Sequence, residues 1–479
     1  MFPLVEFPDL VKHYAPYFQK VFSDEAFVEF QRYISGLIVS ENKTVDGINR
    51  LFVTEERNQS SLNRLLTESP FSLDALNEAR LRMLASQAGT QMKGKGVLIL
   101  DDTLLTHYGQ EFEQIAKLYD HVSESYVWAH NLVTLHYSDD ATDYPAVFQL
   151  WEPVDLDKLE EGLRAAKIPL RADKETLKES EPAKWRSYLT GVWQRRQKSH
   201  PEIRALYKSK LSIAQRLLQE WVKADPEAEF AVTFDNWYTQ PDFCRFLDQT
   251  LHLPYVGTLA GKDKIDLKSG QITLEEFADR LKQEHLKALR EGGRPLFRRI
   301  RIMYKGACEE YYSYCNTHRI HNFGKQRLVI NYRVADPSAG SDQALADKPT
   351  FFISNRLVWQ AQGITRIRRH RWPVEVFHEE GKAEGLDKYQ LRNFSAIQRH
   401  VALVVVVYSL LRAAQHDRVL HEQLQRQLNI DIEGAPVSWR RAAQAQSVWC
   451  LGLLISHGLA QGQSLQELLA PFIHAICRV

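Results

Sequence analysis

Residues 93–103 read KGKGVLILDDT, and their texture sets the fold class. A glycine-punctuated turn runs into four aliphatic residues that end abruptly on Asp101 and Asp102. That is the pattern of a short buried strand with carboxylates at its C-terminal edge. FAVTFD, residues 230–235, repeats the device: an apolar, partly β-branched run closed by Asp235. Between the two lie strand-like runs at 131–137 (NLVTLHY) and 146–151 (AVFQLW), then a long charged stretch of helical character from about 155 to 223. Past Asp235 the strand series continues with LPYVGTLA at 253–260, and then with FRRIRIMY, YYSYC, RLVINYRV and TFFISN between 262 and 355. This last group predicts a mainly β module inserted into an α/β core.

Both ends of the chain have helical periodicity. FVEFQRYISGLIV and SLDALNEARLRMLA space their apolar residues three and four apart, with Ser72 placed to cap the second helix. From about residue 364 the helical period returns and persists to the end. The predicted organisation is therefore a helical region at 1–90, a core in two parts at 91–261 and 356–415, a β-rich insertion at 262–355, and a helical tail at 416–479.

Composition narrows the function classes. At 479 residues, 44% hydrophobic and 25% charged, with mean hydropathy −0.38, the chain fits a soluble multi-domain protein rather than a disordered or membrane one. The apolar run VALVVVVYSLL at 401–411 is too short to span a bilayer and reads as a buried element. With no basic leader before an apolar run, the expected location is cytoplasmic. Five scattered cysteines without a C-x2-C pair support neither a disulfide framework nor a zinc knuckle. Net charge is only +1, yet residues 294–333 hold nine Lys/Arg against two acidic residues. Arg298, Arg299 and Arg301 in that stretch, together with RIRRHR at 366–371, predict two tracks for a DNA backbone.

The third chemistry-bearing segment is TRIRRHRWPVEVFHEEGKAEGLDKYQLRNF, residues 365–394. Pro373 can start a helix with Glu375 in its first turn. At about 100° per residue, Arg371, Glu375 and Lys382 fall on one stripe. A carboxylate flanked by two cations suits metal binding by Glu375 and phosphate binding by Arg371 and Lys382. Three carboxylates arriving from separate segments suit hard divalent cations such as Mg²⁺, which take oxygen ligands, and a two-metal site.

This segment resembles the Tyr-x2-Arg-x3-Glu-x6-Lys signature of DDE transposases from bacterial insertion sequences. Arg371, Glu375 and Lys382 match its last three positions, and Arg368 stands where the tyrosine would be. VLILDDT resembles the family's first aspartate block and FAVTFDNWY its second. EERNQSSLNRLLTESPFS at 55–72 is similar to its helical leader. The resemblance covers roughly residues 95–415.

It implies an RNase H-like catalytic core, with the first aspartate on a central strand, the second at a neighbouring strand end and the glutamate on a later helix. By position, Asp101, Asp235 and Glu375 become the catalytic, metal-binding triad. Asp101 is favoured over the substitute Asp102 because it lies two residues before Thr103. The implied cofactor is Mg²⁺, two ions per site, with Mn²⁺ able to replace it. Arg368, Arg371, Trp372 and Lys382 are the implied DNA contacts, beside Arg298, Arg299 and Arg301. The implied activity is cut-and-paste transposition on double-stranded DNA with terminal inverted repeats, followed by 3′-hydroxyl strand transfer into target DNA. Residues 1–90 are expected to read the repeats, and 416–479 to support a synaptic homodimer.

Overall fold

The chain was studied as a computed structural model, which describes residues 3–53, 58–224, 230–334, 344–345, 347–432 and 435–477. The strand foreseen from VLILDDT is β1, Val97–His107, buried on both faces over its first four residues; it does not end at the aspartates as expected but runs on to His107, because its pairing with Ser125–Ser138 continues from Asp101 opposite Thr134 to His107 opposite Trp128. It is followed by β2 (Ala116–Asp120), β3 (Ser125–Ser138) and β4 (Asp143–Trp151). Then come β5 (Ala231–Phe234), β6 (Tyr255–Leu259), β7 (Lys264–Leu267) and β8 (Gly270–Thr273). The series ends with β9 (Arg298–Tyr304), β10 (Ala307–Ile320), β11 (Gly324–Arg333) and β12 (Thr350–Ser354). Each strand-like run of the sequence falls in one of these strands.

All of them join one mixed sheet, ordered β2-β3-β1-β5-β6-β12-β11-β10-β7-β8, with β4 also on β3 and β9 also on β10. β1 lies antiparallel to β3 and parallel to β5, and β5 is parallel to β6. The strands of residues 262–355 therefore extend the sheet of the core instead of building a sheet of their own.

One helical feature departs from the sequence reading, and a second, helical as expected, is refined by the structure. Leu274–Arg290 is a helix within the stretch expected to be mainly β, opened by a reciprocal capping box between Thr273 and Glu276. Its buried Leu274, Phe277, Ala278, Leu281 and His285 keep the three-to-four spacing of one helix face. The second is the charged stretch after β4, which divides in two. Residues 154–207 form a helical module with its own core around Leu159, Trp185, Leu189, Trp193 and Ile203. The helix Lys210–Ala224 instead packs on β3 and β4.

The run at 401–411 lies inside the helix Phe394–Ala414, which is long and apolar enough by composition to cross a bilayer but is mostly enclosed by protein. Fully burying a Val or Leu side chain stabilises by about 1.5–3 kcal/mol before chain entropy is counted, so this helix is a main source of stability. The helices Asp24–Val39, Gln59–Thr67 and Leu73–Ala85 pack against it. Ser72 caps the last of these through Ala75 N at 3.3 Å, as its sequence suggests. Residues 54–57, within the leader-like segment, lie outside the described residues. Polar ties fix the packing: Tyr33 Oη meets His400 Nδ1 at 2.7 Å, and buried Arg80 donates to Ser409 Oγ at 3.0 Å and Ala146 O at 2.9 Å. The first 90 residues thus share one hydrophobic core with this helix and the sheet.

Candidate active site

The parallel register aligns Ile99 with Thr233 and Leu100 with Phe234, so the next residues, Asp101 and Asp235, stand side by side. Because strand side chains alternate, Asp101 shares the face of Ile99, whereas Asp102 shares that of Leu100. Different helices serve the two faces.

On the first face lies the helix Trp372–Ala383, with Pro373 in its first turn as foreseen and Arg371 at the position just before it. Arg371 Nη1 donates to Asp101 Oδ2 at 2.7 Å, and its Nη2 donates to Glu375 Oε1. One guanidinium thereby ties together the first and third carboxylates of the expected triad. Arg371 Nε is buried without a partner among the described residues. Asp235 spends one oxygen on the backbone: Oδ1 accepts from Trp237 N at 3.0 Å and Tyr238 N at 3.2 Å, closing the turn after β5. Among the described residues its Oδ2 has no hydrogen-bond partner.

Asp101 Oδ1 accepts from Asp102 N at 2.9 Å. Burial pushes the Asp101 carboxyl up to about 7; Arg371 opposes the shift, while Asp235 and Asp102 add to it. This is the signature of crowded, desolvated carboxylates.

Asp102, on the other face, is fully engaged. Lys210 Nζ lies 2.8 Å from Oδ2, Asn131 Nδ2 donates to the same oxygen at 2.6 Å, and Tyr238 Oη donates to Oδ1 at 2.8 Å. Lys210 also caps the ring of half-exposed Trp237 at 4.2 Å. Sequence reading did not single out Lys210, Asn131, Trp237 or Tyr238. Tyr238 and Trp237 lie in the quoted FDNWY block, but nothing local to Lys210 or Asn131 marks them.

A cleft of about 300 Å³ opens beside Glu375, and its lining includes Arg333, Lys348, Arg368, Arg369 and Arg371. Cations therefore dominate the approach to the carboxylates. Arg368 is held there by donation from Nε to Thr258 Oγ1 at 2.7 Å and by the Phe352 ring. Burial, then the neighbouring Arg371, lowers its pKa to about 10. Trp372 is 55% exposed at the rim, with Arg369 5.8 Å from its ring centre. Lys382 lies two turns beyond Glu375, half-buried, with no carboxylate at ion-pair distance among the described residues. Phe377 and His378 are buried, and burial pushes the His378 imidazole down to about 3.

The hairpin of β9 and β10 carries Arg298, Arg299 and Arg301 as expected, but Arg299 and Arg301 both clasp Glu310, and Arg369 binds Glu309. That track is partly neutralised from within.

No three His, Cys, Asp or Glu side chains among the described residues stand close enough to hold a metal ion. The reason is local: Arg371 occupies the space between Asp101 and Glu375. The donor set nevertheless fits a hard divalent cation, because it offers carboxylate oxygens only, one Asp235 oxygen is unpartnered, and Asp101, raised first by burial, also lies in the negative field of Asp235 and Asp102.

No curated protein matches the chain. A family model described as DDE superfamily endonuclease matches residues 16–265, which is 250 of the 479 residues. The match takes in Asp101, Asp102 and Asp235 and stops before the Glu375 helix. Asp101 within β1, beside Asp235 just past the end of the parallel β5, and a family match over more than half of the chain agree, and the chain belongs to the DDE superfamily endonucleases.

Proposed function

We propose that the protein is a cut-and-paste DNA transposase of the insertion-sequence type, with Asp101, Asp235 and Glu375 as its metal-binding triad. One observation carries this reading: Asp101 and Asp235 are adjacent on parallel strands, and Arg371 links Asp101 to Glu375 on a later helix. A first aspartate on a central strand, a second at a neighbouring strand end and a helical glutamate are what an RNase H-like core requires. The β4-β3-β1-β5-β6 part of the sheet supports that assignment.

The three carboxylates are placed to hold Mg²⁺, or Mn²⁺ with the same preference for oxygen. The chemistry so supplied is activation of water, and later of a 3′ hydroxyl, together with stabilisation of the departing oxygen. The rest falls to the chain. Arg371, with its free Nε, moves from the carboxylates to a DNA phosphate, while Arg368, Arg369 and Lys382 hold neighbouring phosphates. Trp372, at the cleft rim, stacks on a base. Arg298, with Arg299 and Arg301 once released from Glu310, follows the backbone further out. Residues 1–90 contribute to reading the terminal inverted repeats, and the helical tail supports pairing of two copies. Several apolar side chains there, Trp449, Leu453, Leu465 and Ile473 among them, are about half exposed.

The test is incubation with Mg²⁺ and DNA carrying the flanking element ends, beside Glu375→Gln, with every broken and joined strand mapped. End-specific nicks and 3′-hydroxyl joining, lost in the variant while DNA binding persists, are expected. Cutting without joining reduces the reading to a nuclease. Binding with no metal-dependent cutting overturns it.

A further inference from the structure

A second basic surface lies outside the site and outside the hairpin. Residues 184–210 hold eight Lys/Arg against one acidic residue, a local excess of +7 in a chain of net charge +1. They span the later half of the helical module, the helix Pro182–Arg196 and the turn that follows it, and run into the start of the Lys210–Ala224 helix beyond it. Arg186, Arg195, Arg196, Arg204 and Lys208 are exposed, and among the described residues none has a carboxylate at ion-pair distance.

The earlier half of the same module is different. There Arg164 is paired with Glu160 and Glu175, Arg171 with Asp173, and Lys178 with Asp157 and Glu160. One half neutralises itself, and the other presents uncompensated charge. Two of the hairpin arginines, Arg299 and Arg301, are likewise paired with Glu310.

Packing gathers these cations. Trp193 Nε1 donates to Ile203 O at 2.9 Å and Arg204 Nε to Gln197 O at 3.0 Å, which folds the 201–206 turn back onto the end of the helix carrying Arg195 and Arg196. The Tyr207 ring packs on Trp193 at 5.1 Å, and its hydroxyl lies in the field of Arg186. One edge of the surface approaches the segment after Asp235, and the other reaches the Asp102 face of β1. Lys198 pairs at 3.3 Å with Asp242, seven residues beyond Asp235, and Lys210 bridges Asp102 and Trp237. The Lys198 pair is well exposed, so a phosphate can replace its carboxylate at little cost.

We propose that Arg186, Arg195, Arg196, Arg204 and Lys208 form a backbone-binding surface for duplex DNA, holding the substrate on the Asp235 side of the site. This rests on the reading of the chain as a DNA-cutting enzyme. It adds a grip provided by the helical module, separate from the residues that line the Arg368 cleft. Cations with no partner of their own, clustered beside carboxylates that cut a polyanion, gain most by releasing the counterions of that polyanion.

The test compares wild type with the fourfold variant Arg195→Gln, Arg196→Gln, Arg204→Gln, Lys208→Gln. Binding to a duplex of arbitrary sequence is measured over a series of KCl concentrations in chelator. The slope of log affinity against log salt should fall by about 0.9 for each cation that contacts phosphate. Arg164→Gln with Arg171→Gln, on the neutralised half, should leave the slope unchanged. Amine acetylation of unaltered protein gives a second readout that needs no variant: DNA should protect Lys198 and Lys208 but not Lys158. Equal slopes for wild type and fourfold variant, with Lys198 and Lys208 acetylated alike with and without DNA, overturn the surface and leave the face to an acidic protein partner. A wild type that neither binds nor cuts DNA overturns the enzyme reading instead.

Discussion

Asp101→Asn should make the metal-free protein more stable above neutral pH, and the size of the gain follows from the site. Burial first, then Asp235 and Asp102, outweigh Arg371 and push the Asp101 carboxyl from 3.8 to about 7. A carboxyl whose folded pKa is raised holds a proton that the unfolded chain has already lost. The folded state is therefore penalised as pH rises from the unfolded value towards the folded one, and not below that window. At about 1.4 kcal/mol per unit, the penalty reaches roughly 4 kcal/mol above pH 7. Asparagine abolishes it but weakens the bond from Arg371 Nη1 from charge-assisted to ordinary, a loss of about 1 kcal/mol. The net gain is about 3 kcal/mol above pH 7 and close to zero near pH 4.5.

The assay is urea denaturation of both proteins in chelator across that pH range. It is read as the difference in midpoint, since a chain of 479 residues need not unfold in one step. Added Mg²⁺ should then stabilise wild type and not the variant. Midpoints that run parallel at every pH, or a variant that loses ground as pH rises, refute the account.

Asp143→Asn should be strongly destabilising. This buried carboxylate faces Lys305 at 2.7 Å, Arg412 at 3.3 Å and the Tyr408 hydroxyl at 3.1 Å, so its loss strands the largely buried Arg412 at a cost of about 3 kcal/mol, measurable by urea denaturation. Asp102→Asn should cost about 3 kcal/mol by removing the charge that holds Lys210 and putting a donor amide in place of one of the two oxygens that accept from Lys210, Asn131 and Tyr238, yet leave Mg²⁺ binding by calorimetry intact.

The strands were legible because buried strands concentrate aliphatic and β-branched residues, and VLIL, AVTF and RLVINYRV stand out against their neighbours. That residues 262–355 continue the same sheet was not legible, since strand pairing depends on registers such as Phe352 with Thr258, between partners far apart in sequence. The helix Leu274–Arg290 was readable from its Leu274, Phe277, Leu281 spacing but was hidden by the strands around it. In the site, the order of Asp101, Asp235 and Glu375 was plain, and so was the start of the Glu375 helix at Pro373. The position of Arg371 between two carboxylates was not, because helix angles place side chains on a face without saying what that face meets. Lys210 lay beyond sequence reasoning for the same reason: its partner, Asp102, is 108 residues away. Charge counting found the hairpin arginines but could not see that Glu310 answers two of them, and it passed over residues 184–210, whose free cations show only once the ion pairs are known.

The pleat of β1 supports Asp101 rather than Asp102 as the first ligand more firmly than motif spacing does. Neighbouring residues on a strand face opposite sides, and only the Asp101 side is shared by Asp235 and closed by the Glu375 helix. Asp102 is already satisfied by an ammonium, an amide and a phenol, so a cation recruited there would have to displace three partners. Asp101 has only Arg371 and one backbone amide, and its pKa is raised first by burial and then by the charges of Asp235 and Asp102, which these partners do not balance. A cation that replaces the guanidinium relieves that imbalance, whereas one that displaces Lys210 creates a new one. On the proposed function, the burial and crowding that make Asp101 a burden on the metal-free fold also favour it over Asp102 as a ligand, a trade of stability for activity.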